Sequence, residues 1–496
     1  MLSHQQSRQL EQRSIEISTT GSKRQGGKRM FNGDQTNSAD LLPLAADDFH
    51  RYERRRLKAA IALAGVWSCT AAVHLLAWGQ WVVYGLAVMM GAHLLRLLLT
   101  RPQRRPTALP SWHDTAVEEQ ATTDLTNWPY VSILVAAKNE VSVIQRLANS
   151  LMAIDYPAER FDVWLIDDHS TDGTSQLMDQ VAQQHPNLQV VHRDQTATGG
   201  KSGALNQVWP TTAGSILLVF DADAQIPADC LRQVVPMFEQ AQVGAVQLRK
   251  AIANSTDNFW TRSQVAEMAF DANCQRQRGT VNGIGELRGN GQFVRRAALE
   301  QCGGWNEETI TDDLDLTLKL HVNGWDVPLF MTPTVWEEGV VKALPLWHQR
   351  NRWAEGGYQR YLDYWQLLTP KRLGWSKTFD LLIFWLIQYG LPTAAFPDFA
   401  LALARNRLPM LMPLSSVAVL FATVSMAQGL KQTQKASAFS LWVQTGRGMI
   451  YMTHWFVIVA AVTSRMAIRP KRLKWVKTQH GNSDAAATIE AQVSSQ

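Results

Sequence analysis

Two long apolar stretches near the start of the chain, 59–79 and 81–99, and three near its end, 379–396, 408–427 and 449–468, enclose a central region of ordinary polarity. Each is about long enough to cross a ~30 Å hydrocarbon core as a helix. Gly79-Gln80 is a short uncharged link, so the first two read as a helical hairpin, with Arg96 near enough to its end to snorkel to the interface. The mean hydropathy of −0.16 averages over both populations and conceals the segregation. The chain reads as an integral membrane protein with a soluble domain inserted between its helices.

Charge placement orients it. The net formal charge of +5 is modest. Arg51, Arg54, Arg55, Arg56 and Lys58 precede the first stretch, and Arg101, Arg104 and Arg105 follow the second. By the positive-inside rule both flanks, and the domain between the helices, are cytoplasmic. Basic residues confined to membrane edges argue against a nucleic-acid surface, and no nucleic-acid partner is expected. Three C-terminal crossings would leave Arg469, Lys471, Arg472, Lys474 and Lys477 outside, against the rule. Pro392, Pro397 and Asp398 make 379–396 the weakest span, so it is expected to be re-entrant or interfacial, with an even number of crossings returning the basic tail to the cytoplasm. Residues 1–40 and 481–496 lack periodic apolar positions and are expected to be disordered. No signal peptide is visible, since the first fifty residues are polar. Cys69, Cys230, Cys274 and Cys302 form no CxxC pair and read as reduced structural thiols, with no zinc indicated.

In the central region 131–136 (VSILVA), 161–166, 189–192 and 216–220 (ILLVF) are runs suited to buried strands. Val143, Ile144, Leu147 and Leu151 recur at helical spacing between the first two, and Ser170 to Thr174 supply turn and cap chemistry for another helix. Alternation of this kind predicts a parallel, helix-covered sheet, which binds ligands beyond the carboxyl ends of its strands. Carboxylates stand there. Asp167-Asp168 ends the second run, where it can accept from an imide N–H or a ribose hydroxyl, or simply cap a loop. Asp221-Ala222-Asp223 ends the fourth, with two side chains on one face that suit a hard cation shared with phosphate oxygens. Asp312 and Asp313 open a helical pattern, where the helix dipole alone would favour them. Gly289-Asn290-Gly291-Gln292-Phe293 before Arg295-Arg296 reads as a glycine-bearing strand or a bulge. In Gln349-Arg350-Asn351-Arg352-Trp353 an Arg-Trp pair suits either anionic charge and ring stacking or a membrane-interface anchor.

In order and spacing these motifs, with the Gly199-Gly200-Lys201-Ser202-Gly203-Ala204-Leu205-Asn206 segment, resemble the inverting family-2 glycosyltransferases over 131–353. The resemblance implies an α/β, Rossmann-like GT-A domain for a nucleotide-diphospho-sugar, inserted between transmembrane helices. It implies that Asp167, Asp168, Lys201 and Asp221 bind the donor. Asp223, with Asp221, would hold Mg²⁺, or Mn²⁺ in its place. Asp313 aligns with the general base, and Asp312 replaces a glutamate as its support. Arg352 would stabilise the leaving diphosphate, with Gln349 and Trp353 contacting substrate. The implied division is a tail (1–50), a membrane hairpin (51–105), the GT-A domain (125–345), a Gln-x-x-Arg-Trp segment with interface helices (346–378), C-terminal membrane helices (379–470) and a basic tail (471–496).

Two acceptor classes use such a motif. Processive synthases of the cellulose or hyaluronan type are one; a smaller group moves one glucose to a membrane lipid. The run from Ala354 to Trp365 and the long polar N-terminal tail look like the second group, which implies UDP-glucose as donor, the 3-hydroxyl of 1,2-diacylglycerol as acceptor and the bilayer as partner. Trp347, Trp353, Tyr358, Tyr361, Tyr364, Trp365 and Trp375, among Arg350, Arg352, Arg360, Lys371 and Arg372, are expected in the headgroup layer. A scaffold built on an inactive fold is disfavoured, because every expected acidic position carries a carboxylate. No oligomeric state is implied.

Overall fold

The computed structural model describes residues 55–101, 107–109 and 128–468. The expected tails at 1–40 and 481–496, together with Arg51, Arg54, Arg104, Arg105 and the basic run from Arg469, lie outside the described residues. Arg55–Leu75 (α1) and Gly79–Leu99 (α2) form a hairpin whose link is 76–78, so Gly79 and Gln80, expected as the link, open the second helix instead.

The domain that follows is a seven-stranded sheet. Val131–Ala137 (β1), Phe161–Asp167 (β2), Leu188–His192 (β3) and Ile216–Phe220 (β4) pair in parallel in the order β3-β2-β1-β4. Ile144–Met152 (α3), Thr174–Ala182 (α4), Gly200–Val208 (α5) and the short Cys230–Val234 (α6) lie between and after them. β4 is buried along its whole length and β1 and β2 at all but one position each, because apolar clusters cover both faces.

Beyond β4 the sheet departs from the parallel expectation. Ala245–Ile252 (β5), Gln292–Arg295 (β6) and Leu329–Glu337 (β7) extend the order as β4-β6-β5-β7, and β6 is antiparallel to both neighbours. A four-residue strand entered from a glycine turn signals its direction weakly. Phe259–Thr280 (α7) precedes β6, and Arg296–Gln301 (α8) and Asp312–Val322 (α9) follow it.

Ala343–Tyr364 (α10) carries the chain from the sheet to the membrane helices. Next come Pro370–Trp385 (α11), a π-turn at Leu386–Gly390, Leu391–Ala404 (α12), Met412–Thr433 (α13), Ala438–Met452 (α14) and His454–Ile468 (α15). Five helical stretches of the described residues are long and apolar enough to cross a membrane, two before the domain and three after it. The chain is therefore membrane-associated. The segment expected to be re-entrant or interfacial is helical from Trp375 through Ala404. The π-turn lies just before Pro392, and the carbonyl of Thr393, which Pro397 cannot serve, accepts from Trp67 Nε1 at 3.2 Å. Asp398 is satisfied by His74 Nε2 at 2.7 Å and the Met410 amide at 2.9 Å. The last apolar stretch is also two helices, broken at Thr453, with α14 against α7 and α13 and α15 against α1, α10 and α12.

The aromatic belt needs correction. Trp365 and Trp375 are 58% and 80% exposed, but Tyr358, Tyr361 and Tyr364 are 3%, 7% and 2% exposed. They are buried because α10 runs between α9 and the membrane helices, with Tyr358 and Tyr361 5.2 and 5.6 Å from the ring of Tyr389. Two glycines permit the approach. A Cβ on Gly356 would lie 2.4 Å from Thr311 Oγ1, and one on Gly357 2.3 Å from the Tyr389 hydroxyl. Gly356→Ala should push α10 off the turn that carries Asp312 and Asp313. Displacement of about 1 Å at reacting groups costs on the order of 10²-fold in rate, so transfer should fall by that much while calorimetry finds donor binding retained; unchanged transfer would refute the contact's importance.

Candidate active site

The carboxyl ends of β2 and β3 build the first wall. Asp167 faces the fold: its carboxylate accepts from the Ser170 amide at 3.1 Å and Ser175 Oγ at 2.5 Å, and His192 Nδ1 lies 3.4 Å away. Although burial opposes it, these contacts hold Asp167 below the usual carboxylate range. These bonds tie Asp167 to the loop that follows β2. Asp168 pairs with Arg193 and lies 3.8 Å from Lys138 Nζ. Arg193 also donates to the carbonyls of Thr198 at 2.6 Å and Gly200 at 3.1 Å. One buried guanidinium thus ties Asp168 to the glycine turn that presents Lys201. Its place directly after β3 was the only sequence signal for it.

The end of β4 builds the second wall. Lys201 Nζ is 2.5 Å from Asp221 Oδ1 and 3.3 Å from the Gly289 carbonyl. The Asp221 amide donates to Asn290 Oδ1 at 3.2 Å, which docks the glycine-bearing turn on the Asp-Ala-Asp motif. Burial disfavours charge on Lys201, but Asp221, Asp312 and Asp313 outweigh it and hold its pKa above the ordinary value. Asp221, Lys201, Asp312 and Asp313 therefore share one site, as expected.

Asp312 and Asp313 occupy the first turn of α9. Asp312 Oδ2 is buried without a hydrogen-bond partner among the described residues. Asp313 Oδ1 accepts from the Leu314 amide at 2.8 Å. Burial and the charge of Asp312 push Asp313 up to about 6, a basicity suited to taking a proton near neutrality. Gly289 faces it with φ +84°, and a Cβ there would come within 3.5 Å of Asp313 Oδ2.

The residues present fit a divalent cation. Burial and repulsion from Asp221 and Glu337 push Asp223 up to about 8, and a cation would favour its ionised form. No group of three or more His, Cys, Asp or Glu side chains that could hold a metal ion occurs among the described residues. Carboxylates of the Asp-Ala-Asp motif would hold it jointly with donor phosphate oxygens.

Behind Asp313 lies an ion-pair chain without a local sequence signature. Arg288, one residue before Gly289, pairs with Asp271 at 2.7 Å and Glu286 at 2.6 Å. Glu286 also meets Arg360 at 3.1 Å and Arg278 at 3.6 Å, and Arg278 reaches Asp380 on α11 at 2.9 Å. Despite burial, these arginines hold Glu286 far below its usual range. The chain connects the turn beside Asp313 to the membrane helices.

On α10, Arg350 is buried against Glu267 at 2.5 Å and donates to Gln349 Oε1 at 2.6 Å. Arg350 Cζ lies 4.0 Å and Lys250 Nζ 5.4 Å from the Trp353 ring centroid, so protein cations take part of the ring surface expected to stack on a sugar. Arg352 is half-buried on the same helix, its guanidinium pulled down by burial. Lys250 also pairs with Glu337 at 3.1 Å, linking Trp353 to the surroundings of Asp223.

A sheet whose strand ends bring an aspartate pair, a lysine turn, an Asp-x-Asp motif and a raised carboxylate together defines a nucleotide-sugar transferase of GT-A type. Residues 129–356 match the model of the glycosyltransferase-like family 2. The chain is 51% identical to beta-monoglucosyldiacylglycerol synthases from Nostoc sp., over 87% of this chain and 90% of that one, and from Synechocystis sp., over 92% and 97%. A solved mannosyltransferase from Pyrobaculum calidifontis, in complex with GDP-Man and Mn²⁺, superposes with a TM-score of 0.54 at 21% identity, covering 82% of this chain and all of that one, a likeness of fold. The chain belongs to the family of the beta-monoglucosyldiacylglycerol synthases, within the family-2 glycosyltransferases.

Proposed function

We propose that the chain transfers glucose from UDP-glucose to the 3-hydroxyl of 1,2-diacylglycerol, with inversion, from a GT-A domain on the cytoplasmic face of the membrane. One observation carries the chemistry: a carboxylate raised to about 6, in a helix turn seated on α10, shares a site with Lys201 and Asp221. Asp313 takes the acceptor proton as the acceptor oxygen bonds to the anomeric carbon, and the bond to UDP breaks with its electron pair leaving on the diphosphate. Lys201 and Arg352 offset that charge. Asp168 and Lys138 border the nucleoside, and Asp312 supports Asp313 by raising its basicity. A divalent cation, Mg²⁺ or Mn²⁺, would neutralise diphosphate charge at Asp221 and Asp223.

Identity to the two synthases supports glucose and diacylglycerol. Tyr358, Tyr361 and Tyr389, buried and packed together between α10 and the membrane helices, support a single transfer over extrusion of a polymer. The test offers diacylglycerol vesicles with UDP-sugars singly. UDP-glucose should give a lipid-soluble product whose anomeric proton signal reports a β-linkage; an α-linkage, or an insoluble polymer, would exclude this reading.

A further inference from the structure

A cleft of about 400 Å³, which borders the surroundings of Trp353 through Lys250, lies between β5, α7 and the far end of α13. Arg249, Lys250 and Trp336 line one side, Val265 and Met268 another, and Gln434 stands at its rim beyond Thr433. The charges in it do not balance. Lys250 is matched by Glu337 at 3.1 Å, and in the small adjoining recess Arg288 is matched by Asp271 at 2.7 Å. Arg249 is paired with no carboxylate among the described residues. Its Nε donates to the Met331 carbonyl at 3.1 Å and one Nη to Thr334 Oγ1 at 2.6 Å, and the residue lines the cleft. Burial alone pulls this guanidinium down to about 10, so it stays charged at neutral pH without a counter-ion among the described residues.

Position selects the counter-ion. Met412–Thr433 is one of the stretches able to cross a membrane, and the rim of the cleft is its last residue and the next. Exposed Lys431 and Lys435 flank that end, as basic residues do at headgroup depth. Apolar Val265, Met268 and Ala269 beside a bare guanidinium suit a group with a charged head and an apolar continuation.

We propose that this cleft binds the phosphate of an anionic phospholipid headgroup, at a site separate from donor and acceptor. The Nη of Arg249 that bonds neither Met331 nor Thr334 can donate a charge-assisted hydrogen bond to a phosphate oxygen. Occupancy would hold β5 against α7, the helix whose Asp271 fixes Arg288 beside the catalytic turn. Anionic lipid should therefore activate the enzyme as well as bind it.

The test compares full-length protein in vesicles of phosphatidylcholine and in vesicles that also contain phosphatidylglycerol. Coupling between two sites is commonly worth about fivefold or more, so transfer should rise by that much with the anionic lipid. Arg249→Gln should keep the rate seen in phosphatidylcholine and lose the rise. Gln434→Glu, which sets a carboxylate at the rim, should lose it too and decides the matter alone where Arg249→Gln does not fold. The melting temperature, read without donor or acceptor, should increase with phosphatidylglycerol for the natural protein and for neither variant; this readout does not depend on diacylglycerol being the acceptor. A response equal to the natural protein's in both variants overturns the site. An equal rise from inorganic phosphate in phosphatidylcholine vesicles overturns the lipid as its source.

Discussion

Asp313→Asn should lower glucosyl transfer by ~10²–10⁴-fold, the usual worth of a general base, while UDP-glucose still binds. The substitution keeps size and an acceptor oxygen for the Leu314 amide but cannot take a proton. Its signature is in the pH profile. A base works only as the carboxylate, and burial with the charge of Asp312 raises Asp313 to about 6. The rate of the natural enzyme should therefore fall as pH drops through about 6, roughly tenfold per unit below it, and the residual rate of Asp313→Asn should lack that limb. Asp312→Asn tests the assignment from the other side. Removing its charge lowers Asp313, so the limb should move to lower pH with a smaller loss of rate. Transfer unaffected by Asp313→Asn would remove the base from this position.

What the sequence disclosed follows from how each feature is encoded. β1, β2 and β4 are buried on both faces, so they read as unbroken apolar runs, and the acids that end them mark the site directly. The partition of Asp167 and Asp168 between loop and cleft is not local. It depends on Ser175 and His192, which the chain reaches only after a turn and a helix. The same holds for Arg193 and for the chain from Arg288 through Glu286 to Asp380, whose members are as much as a hundred and two positions apart, as Arg278 and Asp380 are. No spacing rule predicts such pairs. The tyrosines of α10 were misplaced because an amphipathic aromatic run has the same pattern at a headgroup layer and in a polar-lined interior; Gly356 and Gly357 in its middle carried the signal for close packing. The break at Thr453 has neither proline nor glycine to announce it.

Removal of divalent cation should abolish transfer, and Asp223→Ala should not regain it when cation is restored. The argument rests on like charge. Asp221 and Asp223 share one strand end with Glu337 close by, and Lys201, the cation in contact with Asp221, is also drawn on by Asp312 and Asp313. A donor diphosphate would add further negative charge to this cluster. Lys201 alone cannot offset it, because it is already matched by the carboxylates around it. Without a cation the donor should bind weakly, and the diphosphate should leave poorly. Calorimetry of UDP binding with and without Mg²⁺ separates these effects from damage to the fold. In the natural protein Mg²⁺ should tighten UDP, and in Asp223→Ala it should add little. Asp223→Asn is the sharper variant, because it removes the charge and keeps an oxygen for the Glu338 amide, which lies 3.4 Å from Asp223 Oδ2. If full transfer persists in excess chelator, the carboxylates at the end of β4 must be neutralised by the chain alone, and the assignment of Asp223 to a metal falls.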